Sequence, residues 1–217
     1  MPNRALVEHR PWLVAAIAGA IAYFFLRSGE VDELPIIFLK GTGVAFLAIY
    51  AWRRSPLAAG KLLALVMVLS ALGDMAIEFD IAWGGAAFFA SHVAAMALYL
   101  KNLRHEATGS QKALAVVLLL VTPLISWLLT RDVPVAMYGL ALGGMAACAW
   151  MSRFSRYRVG LGAILFVISD WLIFLNVGEI GAETLTAILI WPLYFTGQFL
   201  IATGVVQTLR NELPDAP

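Results

Sequence analysis

The chain has 217 residues, 61% of them hydrophobic and 13% charged, with a formal net charge of +1. An ordinary soluble domain carries about 25% charged residues, so this composition excludes a disordered chain and a typical soluble enzyme. The near-zero charge excludes the basic field of a nucleic-acid-binding protein. The single cysteine, Cys148, excludes an internal disulfide and any cysteine-built zinc or iron–sulfur site.

The apolar residues come in blocks of about 17–22, the length that crosses a bilayer at a helical rise of about 1.5 Å per residue. In chain order the blocks predict eight helices, at about 12–26, 34–52, 57–77, 82–100, 113–129, 133–151, 159–177 and 184–209. The first block ends in Tyr23-Phe24-Phe25-Leu26-Arg27 without a small-residue cleavage site, so it is expected to be a retained helix and not a signal peptide. The connections are short. The whole chain, 1–217, is therefore expected to be one all-α transmembrane domain, a polytopic membrane protein of eight transmembrane helices.

Basic residues set the expected orientation. Arg4, Arg10, Arg53, Arg54, Lys61, Lys101, Arg104, Lys112, Arg153, Arg156, Arg158 and Arg210 fall on one side, and only Arg27 and Arg131 on the other. That second side collects the acids Glu30, Asp32, Glu33, Glu78, Asp80, Asp132, Glu179 and Glu183. Both termini are thus expected in the cytoplasm, and the bias suits a bacterial inner membrane. Ser70-Ala71-Leu72-Gly73-Asp74 in the third helix has a weak counterpart in Val167-Ile168-Ser169-Asp170 in the seventh. The pair suggests a parallel repeat of four plus four helices.

The chemistry is carried by polar residues set deep in apolar blocks: Lys40, Asp74, His92 and Asp170. A charge at mid-helix costs about 2.5–3.5 kcal/mol on insertion scales and normally faces a cavity or a partner. Structural ion pairs are the plain alternative, for instance Lys40 with either aspartate. Counting from a turn near Trp83, Asp74 and His92 are expected at one depth; counting from Thr184, so are Asp170 and Gln198. Ser70, Asp74 and Glu78 share a helical face, as do Trp191, Tyr194 and Gln198. Ser169 and Asn176 flank Asp170, and Tyr138 and Met145 share a face of the sixth helix. Tyr138, Asn176, Tyr194 and Gln198 are supporting candidates. Gly139-Leu140-Ala141-Leu142-Gly143 is a GxxxG that permits close helix packing. No GxSxG elbow, HExxH pair or Walker-type loop is present. With one histidine at depth, no metal site is expected. Two carboxyls in different environments, one acidic and one ionised, are the equipment for protonating an ether and stabilising an oxocarbenium ion.

Several stretches resemble the YhhN family, the lysoplasmalogenase-like membrane proteins. They are Ser70–Asp74, Phe88-Phe89-Ala90-Ser91-His92, Tyr138 followed by Met145, Gly162-Ala163-Ile164-Leu165-Phe166-Val167-Ile168-Ser169-Asp170, and Tyr194-Phe195-Thr196-Gly197-Gln198. The resemblance implies an eight-helix bundle that hydrolyses the vinyl-ether bond of lysoplasmalogens. The products would be a fatty aldehyde and a glycerophospho-ethanolamine or -choline, with no cofactor. By position, the family's two aspartates correspond to Asp74 and Asp170, expected as the catalytic pair, its histidine and glutamine to His92 and Gln198, and its lysine to Lys40. With these, Ser70, Tyr138, Asn176 and Tyr194 are the further substrate-binding or supporting candidates of the residue pattern. Two positions depart from the pattern: Gly41 stands where a proline usually follows the lysine, and Ala95 where a tyrosine is common. The expected partner is a lysophospholipid in the bilayer. Which aspartate is the acid, and whether Lys40 holds phosphate or tunes a carboxyl, stays open. The rival expectation is a proton-coupled transporter or flippase of a lipid or small amphiphile, which broken helices would favour; Pro192 is a candidate break.

Overall fold

A computed structural model describes residues 10–29, 32–180 and 183–212. Arg4 and Glu30, used in the charge count, lie outside the described residues, as does the side chain of Arg10. The described chain is helical: α1 (Arg10–Leu26), α2 (Glu33–Arg54), α3 (Ala58–Phe79), α4 (Ile81–Leu100), α5 (Gly109–Thr130), α6 (Val133–Met151), a π-helical turn (Arg156–Gly160) leading into α7 (Leu161–Val177), and α8 (Glu183–Arg210). The seven helices α2 to α8, with α7 extended by its π turn, are long and apolar enough to cross a membrane. The protein has the architecture of a polytopic membrane protein. The apolar stretch of α1, Pro11–Leu26, is shorter.

Local chemistry explains where the helices begin and end. Asp80 alone separates α3 from α4, and its Oδ1 accepts from the backbone N–H of Ala82 at 2.7 Å and of Trp83 at 3.1 Å. It thereby satisfies donors that the first turn of α4 leaves open. α5 starts at Gly109 and not near residue 113, because Thr108 and Gln111 form a reciprocal capping box. Pro192 does not break α8, and Pro123 does not break α5; both lie inside continuous helices.

The chain divides into two compact units, Met1–Ala94 with Ala202–Pro217, and Ala95–Ile201. The division falls inside α4 and α8, so these units are not the halves of a four-plus-four repeat. In the first unit α1 packs on α2 and α2 on α3. Small residues bring the backbones together: a Cβ on Gly41 would stand 3.0 Å from the Ala71 carbonyl oxygen. Val44, Leu47, Leu63 and Met67 are buried in its interior.

In the second unit α5 packs on α6 and α7, and α6 on α7. Both glycines of the GxxxG are used here: a Cβ on Gly139 would meet Ser126 Oγ at 2.5 Å, and one on Gly143 the Leu118 carbonyl at 2.5 Å. α7 and α8 cross through a second glycine pair. A Cβ on Gly197 would stand 2.7 Å from the Gly162 carbonyl, and one on Gly162 would stand 2.6 Å from that of Gly197. The α4–α5 and α6–α7 loops are tied to each other. Arg104 donates to the Ser152 carbonyl at 3.0 Å, and Arg153 donates twice to Asn102 Oδ1, at 2.9 and 2.7 Å. The outer side of α5 (Val116, Val117, Leu120, Leu124 and Leu128) is exposed and apolar, as a lipid-facing surface requires.

Candidate functional site

In the first unit, α3 carries Ser70, Asp74 and Glu78 one turn apart on a single face. Ser70 is fully buried and Asp74 is 2% exposed. Ser70 Oγ and Ser91 Oγ are 2.8 Å apart, and Ser91 also donates to the Val66 carbonyl at 3.0 Å. At the end of the face Glu78 forms an ion pair with Lys40, whose ammonium also stands 5.8 Å from the centre of the Tyr23 ring. The Lys40 side chain is 16% exposed and that of Glu78 35%. Lys40 is expected from the sequence to pair with an aspartate; the ion pair forms with Glu78 instead. Sequence reasoning placed Glu78 on this face but did not identify it as the partner.

The depth match between Asp74 and His92 does not hold. Ser70 faces Ser91, and a Cβ on Gly73 would touch the Phe88 ring at 2.9 Å. That register sets Asp74 level with Ala87 and leaves His92 roughly 7 Å farther along the helix axis. The reason is the turn, which is capped at Asp80 and not centred on Trp83. His92 is buried all the same, at 1% exposure.

In the second unit, Asp170 lies at mid-length of α7 and is 5% exposed. Tyr138, from α6, donates its hydroxyl to Asp170 Oδ2 at 2.7 Å. The Tyr138 ring meets Phe174, one turn after Asp170, edge-on at 5.9 Å. Ser169 Oγ donates to the Phe166 carbonyl at 2.7 Å and stands 3.5 Å from Asp170 Oδ1, too far for a strong bond. Among the described residues Asp170 has no ion pair.

The match of Asp170 with Gln198 also fails. Thr186 donates to Asn176 Oδ1 at 2.8 Å, and the Phe166 and Tyr194 rings meet edge-on at 5.1 Å. The register of the hairpin is therefore not the one centred on Thr184, and Asp170 is level with Trp191. Gln198 lies about two turns away, roughly 10 Å along the axis. It is buried, and its Nε2 stands 3.4 Å from the Tyr194 hydroxyl. Asn176 is exposed and serves, with Thr186, to close the α7–α8 hairpin. Trp191 and Tyr194 are buried in contact with each other, their ring centres 5.7 Å apart.

The structure thus brings together Tyr138 with Asp170, Ser70 with Ser91, Lys40 with Glu78, and Tyr194 loosely with Gln198. Ser91 and Glu78 are the partners that sequence reasoning missed. Asp80, an aspartate at a helix junction, is the signal that would have corrected the α3–α4 register and exposed the serine pair. Among the described residues no group of three His, Cys, Asp or Glu side chains could hold a metal ion.

The sequence profile of the YhhN family matches residues 36–205. The chain belongs to the YhhN family. The matched region runs from α2 into α8 and contains all the candidate residues named above. Two similar proteins, from Mycobacterium bovis and Mycobacterium tuberculosis, carry the name lysoplasmalogenase. Each is 29% identical over 162 residues, covering 69% of this chain and 61% of its own length. The chain thus spans somewhat less than two thirds of the curated relatives it matches. No solved structure matches it significantly.

Proposed function

We propose that this YhhN-family protein is a membrane hydrolase that cleaves the vinyl-ether bond of a lysoplasmalogen, releasing a fatty aldehyde and a glycerophospho-ethanolamine or -choline. The reading is supported by the relatives named lysoplasmalogenase. The observation that carries it is Asp170, a buried carboxyl at mid-length of an apolar helix, bonded to the Tyr138 hydroxyl. Vinyl-ether hydrolysis needs a group that delivers a proton to carbon and a carboxylate that stabilises the resulting oxocarbenium ion. Asp74 and Asp170 are the two carboxyls assigned to this work. Lys40, held by Glu78, is assigned to the approach of the phosphate headgroup. Ser70, His92, Tyr138, Tyr194 and Gln198 are assigned supporting roles. Asn176 is assigned a supporting role from the hairpin end, where Thr186 holds its side chain. In this reading all eight helices cross a bacterial inner membrane, with both termini in the cytoplasm.

The transport alternative draws no support from α8, which continues through Pro192 without the break that a transporter site would use. The test is aldehyde release by purified, detergent-solubilised protein given an alkenyl lysophospholipid. Wild type is expected to release aldehyde. Asp74→Asn and Asp170→Asn, folded to the same degree, are expected to lose at least ~100-fold in kcat, the usual contribution of a general acid or base. Full turnover by either variant would remove that aspartate from the chemistry. No aldehyde from folded wild type, with either headgroup, would overturn the function.

A further inference from the structure

We propose that Asp170 is the proton donor of this reaction, and that Tyr138 is the positioning residue that reserves Asp170 Oδ1 as the atom the proton leaves. The inference rests on the vinyl-ether reading and deepens it.

The two oxygens of the Asp170 carboxyl have different surroundings. Oδ2 accepts the Tyr138 hydroxyl hydrogen at 2.7 Å. A proton on Oδ2 would point at that hydrogen, so a proton carried by Asp170 sits on Oδ1. The nearest hydroxyl to Oδ1, that of Ser169, is 3.5 Å away and gives its hydrogen to the Phe166 carbonyl instead. Oδ1 is therefore left without a short bond from that neighbour, as a donor atom must be before substrate arrives.

Tyr138 is itself held in place. The next residue, Gly139, lets α6 pack so closely on α5 that a Cβ there would stand 2.5 Å from Ser126 Oγ. The Phe174 ring meets the tyrosine ring edge-on from α7. Its hydroxyl thus reaches Asp170 from a fixed direction. Asp74 has different company, because one turn along its face is the Lys40–Glu78 ion pair. A carboxyl set among hydroxyls and rings, and paired with no described cation, is the one suited to carry a proton into an apolar site.

The step balances. The O–H bond at Oδ1 breaks, and the π electrons of the vinyl group form a C–H bond at the carbon distal to the ether oxygen. The proximal carbon becomes the oxocarbenium carbon, and Asp170 becomes a carboxylate. Water adds to the oxocarbenium carbon, and the surplus proton of that water returns to Asp170. The hemiacetal C–O bond then breaks: its hydroxyl gives up a proton as the C=O bond of the aldehyde forms, the leaving oxygen takes up a proton to become the alcohol, and one water is consumed overall.

Tyr138→Phe keeps the ring and its contact with Phe174 and removes only the hydroxyl. Losing one hydrogen bond to a charged or charge-developing group corresponds to about tenfold in rate. kcat is expected to fall by about that factor while KM stays within about twofold. A second readout needs no turnover: the infrared C=O stretch of a protonated carboxyl, identified as Asp170 by its loss in Asp170→Asn or its displacement in Asp170→Glu. Tyr138→Phe is expected to move this band to higher frequency, because Oδ2 loses its hydrogen bond. A band unmoved by Tyr138→Phe, no protonated-carboxyl band that responds to substitution of Asp170, or an unchanged kcat with only a lower melting temperature would each overturn the proposal. Failure of wild type to release aldehyde would instead overturn the vinyl-ether reading, and the infrared result would still report whether Tyr138 orients a protonated Asp170.

Discussion

At the scale of single residues, burial in an apolar helix marks which polar groups need partners, and register decides which partners they find. Lys40 illustrates this: its depth in α2 is plain from the sequence, which offers either aspartate as its partner, but Glu78 forms the ion pair. The serine pair makes the same point energetically. Ser70→Ala removes one buried hydrogen bond but leaves Ser91 donating to the Val66 carbonyl, so a loss of about 1 kcal/mol is expected. Ser91→Ala removes both of these bonds and is expected to cost more. Thermal unfolding of the two variants in the same detergent checks the order. A larger loss from Ser70→Ala would contradict the geometry. The names of the deep residues were legible in the sequence, whereas the pairings Ser70–Ser91 and Tyr138–Asp170 were not. Each pairing joins residues from different helices, and the short contact distances tolerate no error in register.

At the scale of elements, glycines decide how close the helices come. The Gly139–Gly143 motif is engaged with α5 inside the chain. Gly143→Leu is therefore expected to lower the melting temperature through a clash with the Leu118 carbonyl and to leave the oligomeric state unchanged. Melting curves and size-exclusion with light scattering separate the two effects. Gly197→Val drives a side chain against the Gly162 carbonyl, where neither backbone can give way easily. Overpacking of this kind costs about 1–3 kcal/mol, and α7, which carries Asp170, is expected to shift with it. The variant is expected to lose both stability and aldehyde release, whereas Gly85→Ala, with open space at its Cβ, is expected to lose neither. α6 runs over Val133–Met151, the bounds its apolar block predicts. The start of α5 was misjudged only because the Thr108–Gln111 box was passed over for the more apolar residues beyond it.

At the scale of the whole molecule, charge asymmetry argues orientation. The ties between the α4–α5 and α6–α7 loops place both loops at one end of their unit, as the placement of Lys101, Arg104, Arg153 and Arg156 on one side requires. Single cysteines in a Cys148→Ser background, at Lys101 or Tyr157 and at Trp83 or Asp132, are expected to label from opposite faces of the membrane in intact cells. Labelling of both sets from one face would contradict the orientation. The sequence by itself determined the class of protein, the eight helices among the described residues, the deep aspartates and the family, because these depend on composition, on block length and on short motifs within one helix. The tertiary structure alone decided the register of the α3–α4 and α7–α8 hairpins, the engagement of the GxxxG within the chain, and the partners of Lys40 and Asp170. The physical reason is that a shift of three residues at a turn moves a side chain by about one helical turn, which leaves the hydropathy pattern unchanged but exchanges every contact between the helices.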